Sequence, residues 1–83
     1  MKEFVEYLIK QLVDYPDQVV VHEFKSEATT FYEVKVAKGD MGRIIGSNGI
    51  IIQSIRLLVT NVARKNNQHV QIELVEHPQI HIG

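Results

Sequence analysis

The sequence predicts an α+β domain in which three helices cover one face of a three-stranded sheet, in the order α-β-β-α-α-β. Three observations carry this. Two stretches repeat apolar residues at three- and four-residue steps, two short stretches alternate them every second residue while a third is rich in β-branched side chains, and a glycine-punctuated break separates the middle helices. With 83 residues there is room for one domain, residues 1–83, with a core over about 2–76 and a flexible tail at 77–83.

Val5, Leu8, Ile9, Leu12 and Val13 recur on one face of a helix over residues 2–14, with Phe4 and Tyr7 widening the stripe. Pro16 is expected to end that helix, because the residue before a proline is pushed out of the α region. Residues 18–25 are rich in β-branched side chains and read as a strand. A polar turn over residues 26–30 leads to a second strand at 31–37, where Tyr32, Val34 and Val36 alternate with Glu33 and Lys35. A short polar link between two strands implies an antiparallel hairpin. After Lys38, Gly39 and Asp40, a short helix from Met41 to Ile45 is cut off by Gly46, and a long one runs from about Ile50 to Asn66. The third strand spans 69–75, with Val70, Ile72 and Leu74 inward. Residues 76–83 contain Pro78 and read as a fraying tail, with Ile80 and Ile82 able to extend an edge strand.

Composition removes several classes. Hydrophobic residues make up 45% and charged residues 23% of the chain, which excludes a disordered or fibrous protein. With no cysteine there is no disulfide scaffold, thiolate zinc site or thiol nucleophile. Apolar runs such as Ile50 to Ile52 fall far short of the roughly 20 residues of a membrane span, and the N-terminus lacks a signal core, so a cytoplasmic protein with no membrane partner is expected. His77 and His81 are separated by Pro78 and have no third ligand nearby, and His22 and His69 fall in strands, so no metal or other cofactor is expected. Asp14 and Asp17 flank Pro16 as turn residues, and no nucleophile–base set or paired carboxylates mark an enzyme.

The net charge of −1 hides an asymmetry. Residues 1–40 carry five lysines against eight acids, whereas residues 41–72 carry Arg43, Arg56, Arg64 and Lys65 and no acid. Inside that basic segment lies Gly42-Arg43-Ile44-Ile45-Gly46-Ser47-Asn48-Gly49-Ile50-Ile51-Ile52. Gly46 and Gly49 permit a tight turn between helices, and a polyanion can approach it closely. The amides and dipole at the start of the next helix favour a phosphate there. Ser47 and Asn48 either donate hydrogen bonds to it or cap the helix. The run is neither a P-loop, for lack of a following Gly-Lys-Ser/Thr, nor a dinucleotide fingerprint, for lack of the third glycine and the leading strand.

The stretch from Gly42 to Arg56 resembles the Ile-Gly-x-x-Gly core of KH domains, and the element order is similar to the bacterial, type II arrangement. Chain length, Tyr15-Pro16 after the first helix and Asn67-Gln68-His69-Val70 before the last strand are similar to the small stand-alone bacterial KH proteins of the KhpA family. The resemblance covers about residues 2–76. It implies single-stranded RNA binding, in which the loop grips about four nucleotides of backbone and bases lie in an adjacent apolar groove. Carried over, the loop is Gly46, Ser47, Asn48 and Gly49, the groove floor includes Ile45 and Ile52, and Arg43 and Arg56 each neutralise a phosphate. The role implied is that of a post-transcriptional regulator or RNA chaperone bearing on cell shape. KH loops usually carry Lys or Arg between the glycines. Here Ser47 and Asn48 are neutral, which predicts weak, unspecific binding. Tyr7, Tyr15, Phe24, Phe31 and Tyr32 lie outside the loop, so no aromatic stacking platform is expected.

On the long helix, Ile51, Ile55, Leu58, Val59 and Val62 form the stripe expected to face the sheet. Ile50 and Leu57 fall opposite it, beside Ser54 and Asn61, and suggest a seam for another helix. The resemblance implies what fills it: a second copy, giving a homodimer, or a larger KH protein (KhpB, also called Jag or EloR). The alternative function is a protein–protein dimerisation module on the same scaffold, with RNA binding weak or lost.

Overall fold

The computed structural model describes residues 1–76. Helix α1 (Lys2–Lys10) is followed by strands β1 (Val20–Lys25) and β2 (Thr30–Val36), helices α2 (Met41–Ile45) and α3 (Ile50–Lys65), and strand β3 (Val70–Glu76). The predicted order holds throughout. The expected tail over 77–83, with Ile80 and Ile82, lies outside the described residues.

β1 and β2 form the antiparallel hairpin, closed where the Ser26 amide donates to the Thr29 carbonyl at 2.9 Å. β2 is the central strand, and β3 pairs with its other edge in parallel. A parallel pair requires a long crossover. Here α2, the two-glycine turn and α3 supply it.

Strand alternation sends Val21, Tyr32, Val34, Val36 and Ile72 to one face. Val5 and Ile9 from α1, Ile44 from α2, and Ile52, Ile55 and Val59 from α3 pack against them as one cluster. The Tyr32 hydroxyl donates to Glu23 Oε2 at 2.9 Å across the hairpin. Burial, followed by the facing Glu23 carboxylate, pushes that phenol up to about 12.

Two boundaries differ from expectation. α1 stops at Lys10, well short of Pro16, which instead opens a 3₁₀ turn over Pro16–Gln18. The cause is a competing acceptor. The Asp40 carboxylate takes the backbone amides of Asp14 at 2.9 Å and Tyr15 at 3.0 Å, and a helix reaching Asp14 would have turned the first of these back to Lys10. The buried stripe of α3 is also rotated. It runs through Ile52, Ile55, Val59 and Ala63, while Ile51 and Val62 are half-buried and Leu58 is 45% exposed. The sheet covers one side of α3, whereas the short α1 covers Leu58 incompletely. Ala63 brings little hydrophobicity of its own, and its small side chain allows a close approach.

Asp40 is wholly buried, and both its carboxylate oxygens are used. Removing a charged acceptor strands two donors, at about 1–3 kcal/mol each. Asp40→Ala is therefore expected to lower the unfolding free energy by about 3 kcal/mol in urea titration. Asp40→Asn, which keeps one acceptor oxygen, should lose less.

Candidate nucleic-acid interface

α2 ends where the Gly46 amide donates to the Gly42 carbonyl at 2.9 Å. Gly46 then adopts φ 72°, ψ −179°, a region essentially open to glycine alone. Space constrains it too, since a Cβ there would stand 2.7 Å from Ile51 Cγ1. Asn48 (φ 56°) and Gly49 (φ 75°) follow in the left-handed region, and the Gly49 amide donates back to the Gly46 carbonyl at 3.3 Å. Asn48 thus has a conformational role that the reading as a donor or cap overlooked. The signal was the Asn-Gly pair, which tolerates positive φ.

This turn delivers the chain directly into α3, whose N-cap is Gly49 without any side-chain cap. Of the alternatives for Ser47 and Asn48, capping is not the one adopted. Both are exposed, and among the described residues neither side chain has a hydrogen-bond partner. The turn therefore presents two uncommitted polar side chains at the positive end of a 16-residue helix dipole.

Arg43, on α2, stands exposed and pairs through Nε with Asp14 Oδ2 at 2.9 Å. Asp14 comes from the acidic half of the chain, so the acid-free segment acquires a carboxylate only on folding. Both side chains are 57% exposed, and such a pair adds little stability and exchanges readily. Ile45 is 38% exposed beside the turn, whereas Ile52 is buried in the core cluster.

Arg56 sits farther along α3 and turns toward β3, where its Nε donates to the Ile72 carbonyl at 3.3 Å. The His69 carbonyl accepts from the Thr30 amide on β2. Backbone groups alternate along a strand, so those of residues 70, 72 and 74 face the free edge of β3. A groove of about 340 Å³ lies between α3 and this edge, lined by Arg56, Thr60, Val70, Gln71 and Ile72.

The seam residues Ile50 and Leu57 are 63% and 64% exposed, with Ser54 and Asn61 exposed beside them. Ser54 Oγ is turned back along its own helix, donating to the Ile50 carbonyl at 2.7 Å. A second, apolar groove of about 390 Å³ opens beside the seam, between Leu8 and Leu12 of the α1 end and Ile50, Ile51 and Leu58 of α3. Helical periodicity could not reveal it, because it depends on where α1 stops. Among the described residues no cluster of three or more His, Asp or Glu is placed to hold a metal ion, and no helix is long and apolar enough to cross a membrane. His77 and His81 lie outside those residues.

A family model described as "KhpA/KhpB, KH domain" matches residues 2–74. Among curated relatives, the "RNA-binding protein KhpA" of Chlamydia pneumoniae is 47% identical over 76 residues, covering 92% of this chain and 97% of that protein. The proteins of the same name from Clostridium acetobutylicum and Listeria monocytogenes serovar 1/2a are 41% and 38% identical, with 90% and 92% of this chain and all of each relative covered. No solved structure matches significantly.

The two glycines differ in what they forbid. At Gly49 a Cβ meets open space and only the backbone angle resists it, whereas at Gly46 both do. Gly49→Ala is expected to cost about 1 kcal/mol, or roughly 5 °C of melting temperature, and Gly46→Ala about twice that. Differential scanning calorimetry of the two variants checks the ranking.

Proposed function

The chain belongs to the KhpA/KhpB family of KH domains, and from that membership we propose that it binds single-stranded RNA through the turn Gly46, Ser47, Asn48 and Gly49. The observation that carries this reading is the turn itself, an exposed, uncapped entry to α3 whose side chains have no hydrogen-bond partner among the described residues. Only backbone that can take positive φ at Gly46, Asn48 and Gly49 brings a sugar–phosphate strand so close to the helix end. Arg43 supplies the counter-charge, trading Asp14 for a phosphate. Ile45 offers apolar contact at the mouth of the groove, with Ile52 supporting it from the core. Arg56 stands on the groove wall.

Neutral loop side chains limit the number of phosphates neutralised, so a single domain binds weakly. Pairing two copies offsets this. Ile50 and Leu57, with Ser54, Asn61, Leu58 and Leu12 beside them, form an exposed strip that supports dimerisation, with itself or with a larger KH protein of the KhpB (Jag) type. Two loops held in one dimer gain by avidity. The protein then acts as a cytoplasmic regulator or chaperone of RNA rather than as an enzyme. The same strip favours the second reading, a dimerisation module in which RNA binding is incidental.

Two measurements separate these readings. In fluorescence titration, affinity for a short single-stranded RNA should fall as salt rises, and by about tenfold or more when Ser47 and Asn48 are both changed to Asp. Indifference to both changes defeats the RNA reading. In analytical ultracentrifugation, Leu57→Glu should convert a dimer to a monomer without unfolding it, since Leu57 is exposed. A variant that still sediments as a dimer defeats the seam.

A further inference from the structure

Arg43 has two claimants. With Ser47 and Asn48 neutral, it is the cation nearest in sequence to the two-glycine turn. In the free chain its Nε is already taken by Asp14 Oδ2 at 2.9 Å. Asp14 is held in place at its backbone. Its amide donates to Asp40 Oδ1 at 2.9 Å, the Tyr15 amide donates to Oδ2 at 3.0 Å, and Asp40 is wholly buried. The Asp14 carboxylate is thus carried on a fixed strut beside α2, which keeps its effective concentration at the guanidinium high. An acid next to an arginine can orient it for a second anion or compete with that anion. Orientation matters most where the arginine is buried and its free donors face a closed pocket. Here both side chains are 57% exposed, so electrostatics decides. A phosphate arriving at Arg43 meets a guanidinium whose charge is already matched, and a carboxylate that repels it.

We propose that the Asp14–Arg43 pair is an autoinhibitory latch on the RNA-binding turn: Asp14 occupies the guanidinium as an internal substitute for phosphate, and RNA must displace it. The latch rests on the RNA-binding reading above and adds to it a limit on affinity built into the fold. Because the pair is exposed, that limit is a few-fold. It depends on salt in a definite sense. Salt weakens the internal pair as well as the RNA contact, so in the native chain part of the loss of RNA affinity is offset. The latch also favours an extended strand over a lone anion. A free phosphate has to win Arg43 from Asp14 unaided, whereas a strand already held at the turn is delivered to it at high local concentration.

The test titrates a short uridine oligomer by fluorescence anisotropy at two salt concentrations. Asp14→Asn removes the charge and keeps the backbone amide that Asp40 holds. It is expected to bind about threefold more tightly than the native chain at low salt, with the gain shrinking as salt rises. Asp17→Asn removes the same charge from an exposed residue of the same connection that is not paired with Arg43, and should leave affinity nearly unchanged. Equal affinity of Asp14→Asn and the native chain overturns the latch, and so does a lower one, the mark of an orienting acid. An equal gain in Asp17→Asn overturns it too, since general charge repulsion then explains the effect. One measurement on the native chain stands even if a variant fails to fold. In heteronuclear NMR the Arg43 Nε–H signal should shift together with the Gly46 and Gly49 amides as RNA is added. An Nε–H signal that stays fixed while those amides shift overturns the latch. If neither the native chain nor Asp14→Asn binds the oligomer at either salt concentration, the latch and the RNA-binding reading fall together, whereas the other adverse outcomes leave that reading standing.

Discussion

A buried carboxylate sets the geometry on which the site depends. Asp40 stands just before α2, and it draws the chain after α1 across the molecule by taking the amides of Asp14 and Tyr15. Two consequences follow from one group. α1 is cut short, leaving the apolar groove beside α3 open, and Asp14 is set against Arg43 at the threshold of the two-glycine turn. A buried charge is costly unless its acceptors are satisfied. Both oxygens of Asp40 are, so the connection becomes a fixed strut rather than a loose loop.

The parallel pairing of β2 with β3 makes the second contribution. Because the crossover must climb over the sheet, α3 lies along the free edge of β3, and Arg56 can bridge from one to the other. A hairpin connection would have placed α3 elsewhere and closed that edge. The turn, the Arg43 side chain and the α3–β3 groove are thus products of a single crossover. Its steric pivot is Gly46, packed against Ile51.

Helix α3 serves three neighbours at once. Ile52, Ile55, Val59 and Ala63 hold the core, Arg56 and Thr60 face the β3 edge, and Ile50 and Leu57 remain on the surface. Ile50 follows Gly49 directly, so a partner bound at the apolar strip would sit next to the turn. Binding at one could therefore affect the other through direct adjacency, with no need for a conformational relay.

Local pattern was enough for much of this. The order of elements, the inward residues of β2 and β3, the hairpin and the two-glycine turn were legible in the sequence, because each depends on a period of two or of 3.6 or on the special backbone freedom of glycine. The exposure of Ile50 and Leu57 could be read the same way. Contacts between distant residues could not. Only the tertiary structure set the end of α1, since Asp40 lies 26 residues from the amide it captures. It also rotated the buried stripe of α3 toward Ala63, paired Arg43 with Asp14, and turned Arg56 to the strand edge. Periodicity states which side of a helix is apolar. It carries no information about which neighbour covers that side, or about which of several acceptors an amide or a guanidinium meets once the chain has closed upon itself.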